Sequence, residues 1–404
     1  MTDGNARRTL DFSTKKKIAF KALGGRAKAV YWHAGVAWAL QGVGLRFAGG
    51  ARAPGAARPY GDGVINPLIG SSSGAVFGAM VASGMPLEEI LRFPITREDI
   101  FAWSGLRPLE YLRRVRHSCV RRTGRPFRPW HVSMRDLLTV RPRYSVDALE
   151  RLVRERLLPG LNDFSQLACE MYILATALDT PRTVVFGERR TPQKHDYIYL
   201  NGVSVSQAAA ASMALPPIFI PSRINIGGVE TYFIDGELRD PFVTNVAQDV
   251  GADCIITSSI YQPFQFADEI GSLIESGLGG IYMQSRDLSI DAKQRINQLN
   301  RQRATEAIRA VDHLTSRILS EEIRSTVIGE LERILECPQN TSFLYISPRK
   351  DLELYRIHPF DLSTETRNFV IRRGYRRAVE VLREWSVPGA NQLPEEMGAL
   401  PTAG

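Results

Sequence analysis

Residues 66–85 read NPLIGSSSGAVFGAMVASGM, in which three serines stand between two glycines. This stretch is either a flexible Ser/Gly turn, or a strand, a sharp turn and a helix that present one serine. VINPLIG before the serines is typical of a buried strand, and AVFGAMVASG after them is typical of a helix. The second interpretation centres a G-x-S-x-G motif on Ser72, with Gly70 and Gly74 where only small residues avoid a collision.

Ser72 is therefore a candidate nucleophile, and a serine hydroxyl needs a general base within hydrogen-bond reach. Histidine is the usual base, and the chain has six. His313 lies in a charged helical segment, AIRAVDHLTSR, where a solvated face is the simpler explanation. His358, in YRIHPFD, follows a predicted strand and remains an alternative as the base of a Ser/acid/His triad.

A carboxylate is the stronger candidate for the base. The predicted strand in ETYFIDGELRDPF ends at Asp235 and Gly236, at the carboxyl edge of the sheet, where the serine turn is also expected. An enclosed aspartate close to the hydroxyl can serve as the base, because burial raises its pKa towards the working range. The alternative is an ordinary Asp-Gly turn between two strands.

Composition sets the broader class of protein. The chain has 404 residues, 44% of them hydrophobic, and a net charge of +8, which indicates a globular protein with a preference for anionic surfaces. Its four cysteines are far apart, and it lacks dinucleotide and P-loop motifs, so the sequence predicts no metal and no cofactor. It also lacks a nucleic-acid-binding module, and no pattern predicts its oligomeric state.

Several features bear on location. The basic start of the chain is not followed by an apolar run and cleavage site typical of a signal peptide. No window approaches the roughly 18 to 20 apolar residues of a membrane-spanning helix. The sequence therefore predicts a cytoplasmic protein whose membrane contact, if any, is peripheral.

Strand-like and helix-like segments alternate along the chain, which predicts an α/β fold with a mostly parallel sheet. We expect a flexible basic N-terminus at residues 1–16 and a main domain at residues 17–385. This domain contains an inserted helical cap at about 86–160 and a helical C-terminal extension at about 264–385. The composition of residues 386–404 predicts a disordered tail.

Three short segments, GGRAKA at 24–29, GSSSG at 70–74 and DGE at 235–237, stand in an order that resembles the patatin-like phospholipases. The similarity covers about residues 17–265. It implies a three-layer α/β sandwich, fatty-acyl lipids such as phospholipids as substrates, and a Ser/Asp dyad in place of a triad. Ser72 would be the nucleophile and Asp235 the base. The loop Gly24, Gly25, Arg26, Ala27 and Lys28 would provide the oxyanion hole, with Lys28 at the family's basic position.

Two segments depart from the family's pattern. In the loop, Arg26 stands where the family has a third glycine and Ala29 where it has the last, and a side chain at a position that needs glycine could displace a donor N–H. Glu237 follows Asp235 and Gly236 where the family has glycine or alanine, and a second carboxylate could raise the pKa of the base or block the site. These departures leave open a catalytically weak or inactive protein that binds lipids.

Residues 101–128 interleave aromatic residues, Phe101 and Trp103 among them, with many arginines. Such a helical cap could insert its aromatic side chains into a membrane interface while arginines bind lipid phosphates. The alternative is a cap packed on the core with a solvated arginine face. The first interpretation predicts an anionic membrane surface as a partner.

Overall fold

The computed structural model describes residues 9–103, 108–126, 128, 142, 144–189, 197–239, 244–269, 271–358 and 360–398. The strands in these ranges are β1 (Ile18–Ala22), β2 (Arg46–Phe47), β3 (Val64–Ser71), β4 (Ala102–Trp103), β5 (Tyr144–Ser145), β6 (Met171–Ala177), β7 (Thr183–Phe186), β8 (Tyr197–Leu200), β9 (Ser222–Ile226), β10 (Val229–Asp235), β11 (Cys254–Ser258) and β12 (Ser342–Ile346).

The helices in the same ranges are α1 (Ala27–Gly42), α2 (Ser73–Ala82), α3 (Leu87–Arg92), α4 (Arg97–Ile100), α5 (Pro108–Thr123), α6 (Asp147–Arg151), α7 (Val205–Ser212), α8 (Thr244–Asp249), α9 (Gly277–Thr315), α10 (Glu321–Ile334), α11 (Leu352–Arg356) and α12 (Thr364–Glu384). A π-helical turn, Leu152–Leu157, continues α6.

Among the described residues, one sheet has the order β12-β11-β1-β3-β6-β10-β9. The strands from β12 to β6 are parallel, and β10 is antiparallel to both β6 and β9. In addition, β7 and β8 extend from β6, and β2 pairs with β3. The predicted α/β fold with a mostly parallel central sheet is confirmed.

The sheet separates two apolar cores, and β1 shows the alternation that a strand buried on both faces requires. Ile18, Phe20 and Ala22 belong to the larger core, together with side chains of α1, α2, α7 and α12. Ala19 belongs to a smaller core on the other face, where α8 packs. The helices therefore cover both faces of the sheet.

Helix α12, from the C-terminal part of the chain, crosses α1 at very short distance. A Cβ atom added to Gly35 would lie 2.0 Å from the Ile371 carbonyl oxygen, and one added to Gly374 would lie 2.4 Å from that of Trp32. Only glycine permits this approach of the two backbones. The C-terminal helix thus belongs to the same core as α1 and the strands of the sheet.

Within residues 86–160, helices α3 to α6 accompany a two-stranded sheet of β4 and β5. Phe101 is stacked on Phe219 and contacts Tyr144 and Phe360, so its ring packs against the core. Trp103 is 50% exposed. Residues 104–107, 127, 129–141 and 143 of this segment lie outside the described residues.

The predictions of flexible or disordered termini are wrong for the described parts of both ends. Leu10 and Phe12 are buried, and the Leu10 N–H donates to the Trp385 carbonyl oxygen over 3.1 Å. Beyond α12, Val387 and Ala390 are buried as well. A few apolar side chains pack these polar segments on the core. The average composition of the segments does not reveal such single side chains. Residues 1–8 and 399–404 lie outside the described residues.

None of the helices in the described ranges is long and apolar enough to cross a bilayer.

We predict that Gly35→Ala lowers the free energy of unfolding by about 1 to 3 kcal/mol or more, because the methyl group would overlap the backbone of α12. Gly329→Ala is the matched control, since Gly329 is an exposed glycine of α10 with open space around its Cα. That substitution should raise the free energy of unfolding by up to about 1 kcal/mol. Urea denaturation measures both values, and equal effects would contradict the close crossing of α1 and α12.

Candidate active site

Ser72 lies in a sharp turn between β3 and α2. Its backbone has φ 53° and ψ −128°, a conformation that residues with a side chain rarely adopt. A Cβ atom added to Gly74 would lie 2.1 Å from the Ala22 carbonyl oxygen, and one added to Gly70 would lie 2.7 Å from the Ala75 Cα. The two glycines of the motif therefore let the turn close against β1 and the start of α2.

The Ser72 hydroxyl donates a hydrogen bond from Oγ to Asp235 Oδ2 over 2.8 Å. Ser72 is 5% exposed and Asp235 is fully buried. The second carboxylate oxygen of Asp235 accepts the Glu237 N–H over 3.0 Å, which fixes the orientation of the carboxylate. Burial raises the pKa of Asp235 above its usual value, so this carboxylate is a stronger base than an exposed aspartate.

The register of the sheet explains why the two side chains meet. The last residue of β3, Ser71, is paired with Leu174 of β6, and the last residue of β10, Asp235, is paired with Ala175. Since β7 occupies the other edge of β6 at these same positions, β3 and β10 share one edge. They approach along it from opposite directions, and their carboxyl ends face each other.

Ser212, at the end of α7, holds the backbone of the turn. The Ser72 N–H donates to Ser212 Oγ over 2.7 Å, and the Ser212 hydroxyl in turn donates to the Leu174 carbonyl oxygen. Ser212 was not among the site residues predicted from the sequence. A signal was present, because Ser212 is a polar residue that directly follows four alanines in a buried helix.

The predicted oxyanion loop, Gly24 to Lys28, connects β1 to α1 and lies against Ser72. A Cβ atom added to Gly24 would lie 2.6 Å from the Ser72 Cβ, so this close approach requires glycine. Helix α1 begins at Ala27 without a side-chain cap. The first N–H groups of a helix have no partners within the helix and are available to an anionic oxygen.

Two residues of the loop have side chains with defined partners. Arg26, at φ 68°, forms an ion pair with Asp287 of α9 at 3.3 Å. The Lys28 ammonium is buried and donates to the Leu354 carbonyl oxygen over 3.0 Å, and burial lowers its pKa to about 8. The Lys28 side chain thus joins the loop to the C-terminal part of the chain.

His33 supports the same loop from α1. Its Nε2 lies 2.6 Å from the Leu23 carbonyl oxygen and its Nδ1 lies 2.7 Å from Ser258 Oγ. Burial lowers the pKa of His33 to about 4, so the ring is neutral, with the Nε2–H donating to Leu23. His358, the alternative base, is exposed, and its Nδ1 accepts the Phe360 N–H.

Glu237 occupies a central place beside the dyad. Its Oε1 accepts the Gly24 N–H, and its Oε2 accepts hydrogen bonds from the Tyr261 hydroxyl and from Arg286 Nη2, the last over 2.8 Å. Burial, and then the negative charge of Asp235, raise the pKa of Glu237 to about 7. One candidate oxyanion-hole donor is therefore bound to a carboxylate of the protein itself.

Arg286, on α9, supplies the positive charge of this site. Arg286 was not predicted from the sequence, because no local pattern distinguishes it from the many other arginines of the chain. Its side chain is 5% exposed and pairs with Glu237. The same guanidinium lowers the pKa of Asp235, in opposition to the effect of burial.

A family model described as patatin-like phospholipase matches residues 22–247, which is more than half of the 404-residue chain. The match starts at the end of β1 and ends within α8, and it includes Ser72, the Gly24 to Lys28 loop and Asp235. Arg286 and Tyr261 lie beyond it. The chain belongs to the patatin-like phospholipase family.

Proposed function

We propose that the protein hydrolyses fatty-acyl esters of lipids, with Ser72 as nucleophile and Asp235 as general base. The observation that carries this proposal is the 2.8 Å hydrogen bond from Ser72 Oγ to a buried carboxylate. Membership of the patatin-like phospholipase family supports a lipid as the substrate.

In the first half of the proposed reaction, Asp235 Oδ2 takes the proton of the Ser72 hydroxyl as Oγ attacks the acyl carbonyl carbon. The carbonyl oxygen becomes an oxyanion, which N–H groups of the Gly24 to Lys28 loop would stabilise. When the oxyanion collapses, the bond to the alcohol breaks. Protonated Asp235 donates its proton to the leaving alkoxide, and an acyl-enzyme remains on Ser72.

In the second half, a water molecule takes the place of the alcohol. Asp235 removes a proton from this water, whose oxygen attacks the acyl carbon. Collapse of the second tetrahedral intermediate breaks the ester to Ser72, and the proton on Asp235 returns to Oγ. The products are the fatty acid and the alcohol portion of the lipid, and the dyad is restored.

Contact with a membrane would bring this site to its substrate. Trp103 and Leu112 are 50% and 61% exposed, and Leu112 lies on α5 among exposed arginines, which include Arg113 and Arg116. Exposed apolar side chains beside cationic ones favour binding to the interface of an anionic bilayer. We propose that this surface binds the membrane.

A specific observation favours a second candidate function. The Gly24 N–H donates to Glu237, so the loop holds an internal carboxylate where an oxyanion would be stabilised. A protein fixed in this arrangement would bind acyl lipids without hydrolysing them, or would hydrolyse them slowly.

We expect Ser72→Ala and Asp235→Asn each to reduce hydrolysis of a fluorogenic acyl ester by about a thousandfold or more, because each removes a reacting group. A fluorophosphonate probe should label the wild type on Ser72. Ser71→Ala and Ser73→Ala are matched controls, since neither hydroxyl has a hydrogen-bond partner in the described part of the chain. Unchanged hydrolysis in folded Ser72→Ala protein would disprove the proposed function.

The pH dependence of kcat/KM should reveal the charge of Arg286. Activity rises as Asp235 ionises, and loss of the guanidinium would raise the pKa of this carboxyl. Arg286→Gln should therefore move the acidic limb to higher pH by about one unit or more, whereas Arg286→Lys should keep it close to that of the wild type. Equal acidic limbs in the two folded variants would show that Arg286 does not act on the base.

Substitution of Glu237 distinguishes a fully active hydrolase from a protein whose oxyanion loop is blocked by this carboxylate. We expect the double variant Glu237→Ala/Arg286→Met to hydrolyse esters at least about tenfold faster than the wild type, because the Gly24 N–H becomes available. The double change avoids leaving a buried, unpaired arginine. Rates are compared on the high-pH plateau, where Asp235 is ionised in both proteins. An equal or lower rate in a stably folded double variant would contradict the blocking role.

A further inference from the structure

A cavity of about 660 Å³ lies beside the oxyanion loop. It shares Gly25 with this loop and Tyr261 with the surroundings of Glu237. Other lining residues belong to α9 and to residues 354–358 and 360, all of them outside the family-matched range. The cavity is therefore built largely from residues outside the family-matched range.

Most of the cavity wall is apolar. Its apolar side chains include Ile218, Leu273, Met283, Leu354, Ile357 and Phe360. The volume lies in the range of pockets that enclose one small ligand. An apolar space of this size fits one acyl chain better than the two chains of a diacyl lipid.

Cations predominate in the charged lining of the cavity, where Arg26, Lys28 and Arg356 lie with one carboxylate, Asp287. Arg26 and Lys28 belong to the oxyanion loop, and the Arg26 side chain is 10% exposed. Arg26 Nε is buried and has no hydrogen-bond partner in the described ranges, although Nη2 of the same side chain pairs with Asp287. A buried donor without an acceptor is costly, and an anionic ligand oxygen would satisfy it once the Arg26 side chain turns towards the cavity.

We propose that this cavity binds a lipid with a single long acyl chain, whose anionic group lies against Arg26 and Lys28. The bound lipid is then a substrate or product of the Ser72 site, so this inference rests on the proposed function. Arg26 then determines which lipid binds. It stands where the family's loop has glycine, and it places a cation at the cavity wall at the expense of the backbone freedom that glycine has. A long-chain carboxylate and a monoacyl phosphate share the required chemistry.

The experiment measures binding to full-length Ser72→Ala protein, in which turnover cannot consume the ligand. Fluorescence of cis-parinaric acid reports direct binding. Palmitate, palmitoyl lysophosphatidate and hexadecanol then compete for the site. We expect saturable binding, displacement by one or both anionic lipids, and at least tenfold weaker displacement by the uncharged alcohol. Preference for palmitate would identify a carboxylate ligand, and preference for lysophosphatidate would identify a phosphate head group.

Three further substitutions in the Ser72→Ala background test the residues. Arg26→Gly removes the cation, and glycine suits the positive φ at this position. This substitution should weaken binding of the anionic lipids about tenfold or more. Asp287→Asn removes the carboxylate that competes for Arg26 and should strengthen binding of the anionic lipids. Met283→Trp should block the cavity, whereas Leu299→Trp, at an exposed position of the same helix, should have no effect.

Equal competition by hexadecanol, or unchanged binding in both Arg26→Gly and Met283→Trp, would overturn the inference. Failure of the proposed function has a different signature. In that case Ser72→Ala would leave the hydrolysis rate unchanged. Anionic lipids would still bind to the cavity, and Arg26→Gly would still weaken their binding. Conversely, an active enzyme without saturable binding would refute only the cavity's role.

Discussion

The pairing of two strands with one edge of β6 is the constraint on which the site depends. Because β3 and β10 approach along this edge from opposite directions, the residues at their ends must face each other. The edge also supplies the Leu174 carbonyl oxygen, which accepts from Ser212, and Ser212 in turn holds the Ser72 N–H. A single strand thus aligns the candidate nucleophile, its base and the support of its backbone.

The charges around this alignment do not balance in a simple way. Asp235 and Glu237 are both buried, and Arg286 is the cation that pairs with Glu237 at 2.8 Å. With both carboxylates ionised, the three groups would hold a net negative charge away from water, which is unfavourable. Burial raises the pKa of both acids, and the negative charge of Asp235 raises the pKa of Glu237 further.

Local chemistry made the centre of the site predictable. Glycines on both sides of Ser72 indicated the turn, and a strand ending at Asp235 indicated the base. Both residues were predicted at the carboxyl edge of a mostly parallel sheet, whereas β10 is antiparallel to β6 and meets β3 end to end. The roles of His33 and Arg286 could not be predicted, since their contacts depend on how distant segments pack, and no spacing in the sequence records that.

The neighbours of β1 have a consequence for what counts as a folding unit. On one side β1 pairs with β3, and on the other with β11, which lies beyond residue 247. A chain shortened to the family-matched residues would lack β11 and all of β1 except Ala22, so β3 would become an open edge, ready to pair with another molecule. The family-matched residues therefore contain the candidate catalytic residues but do not form a unit that folds by itself. Chains shortened to these residues should self-associate.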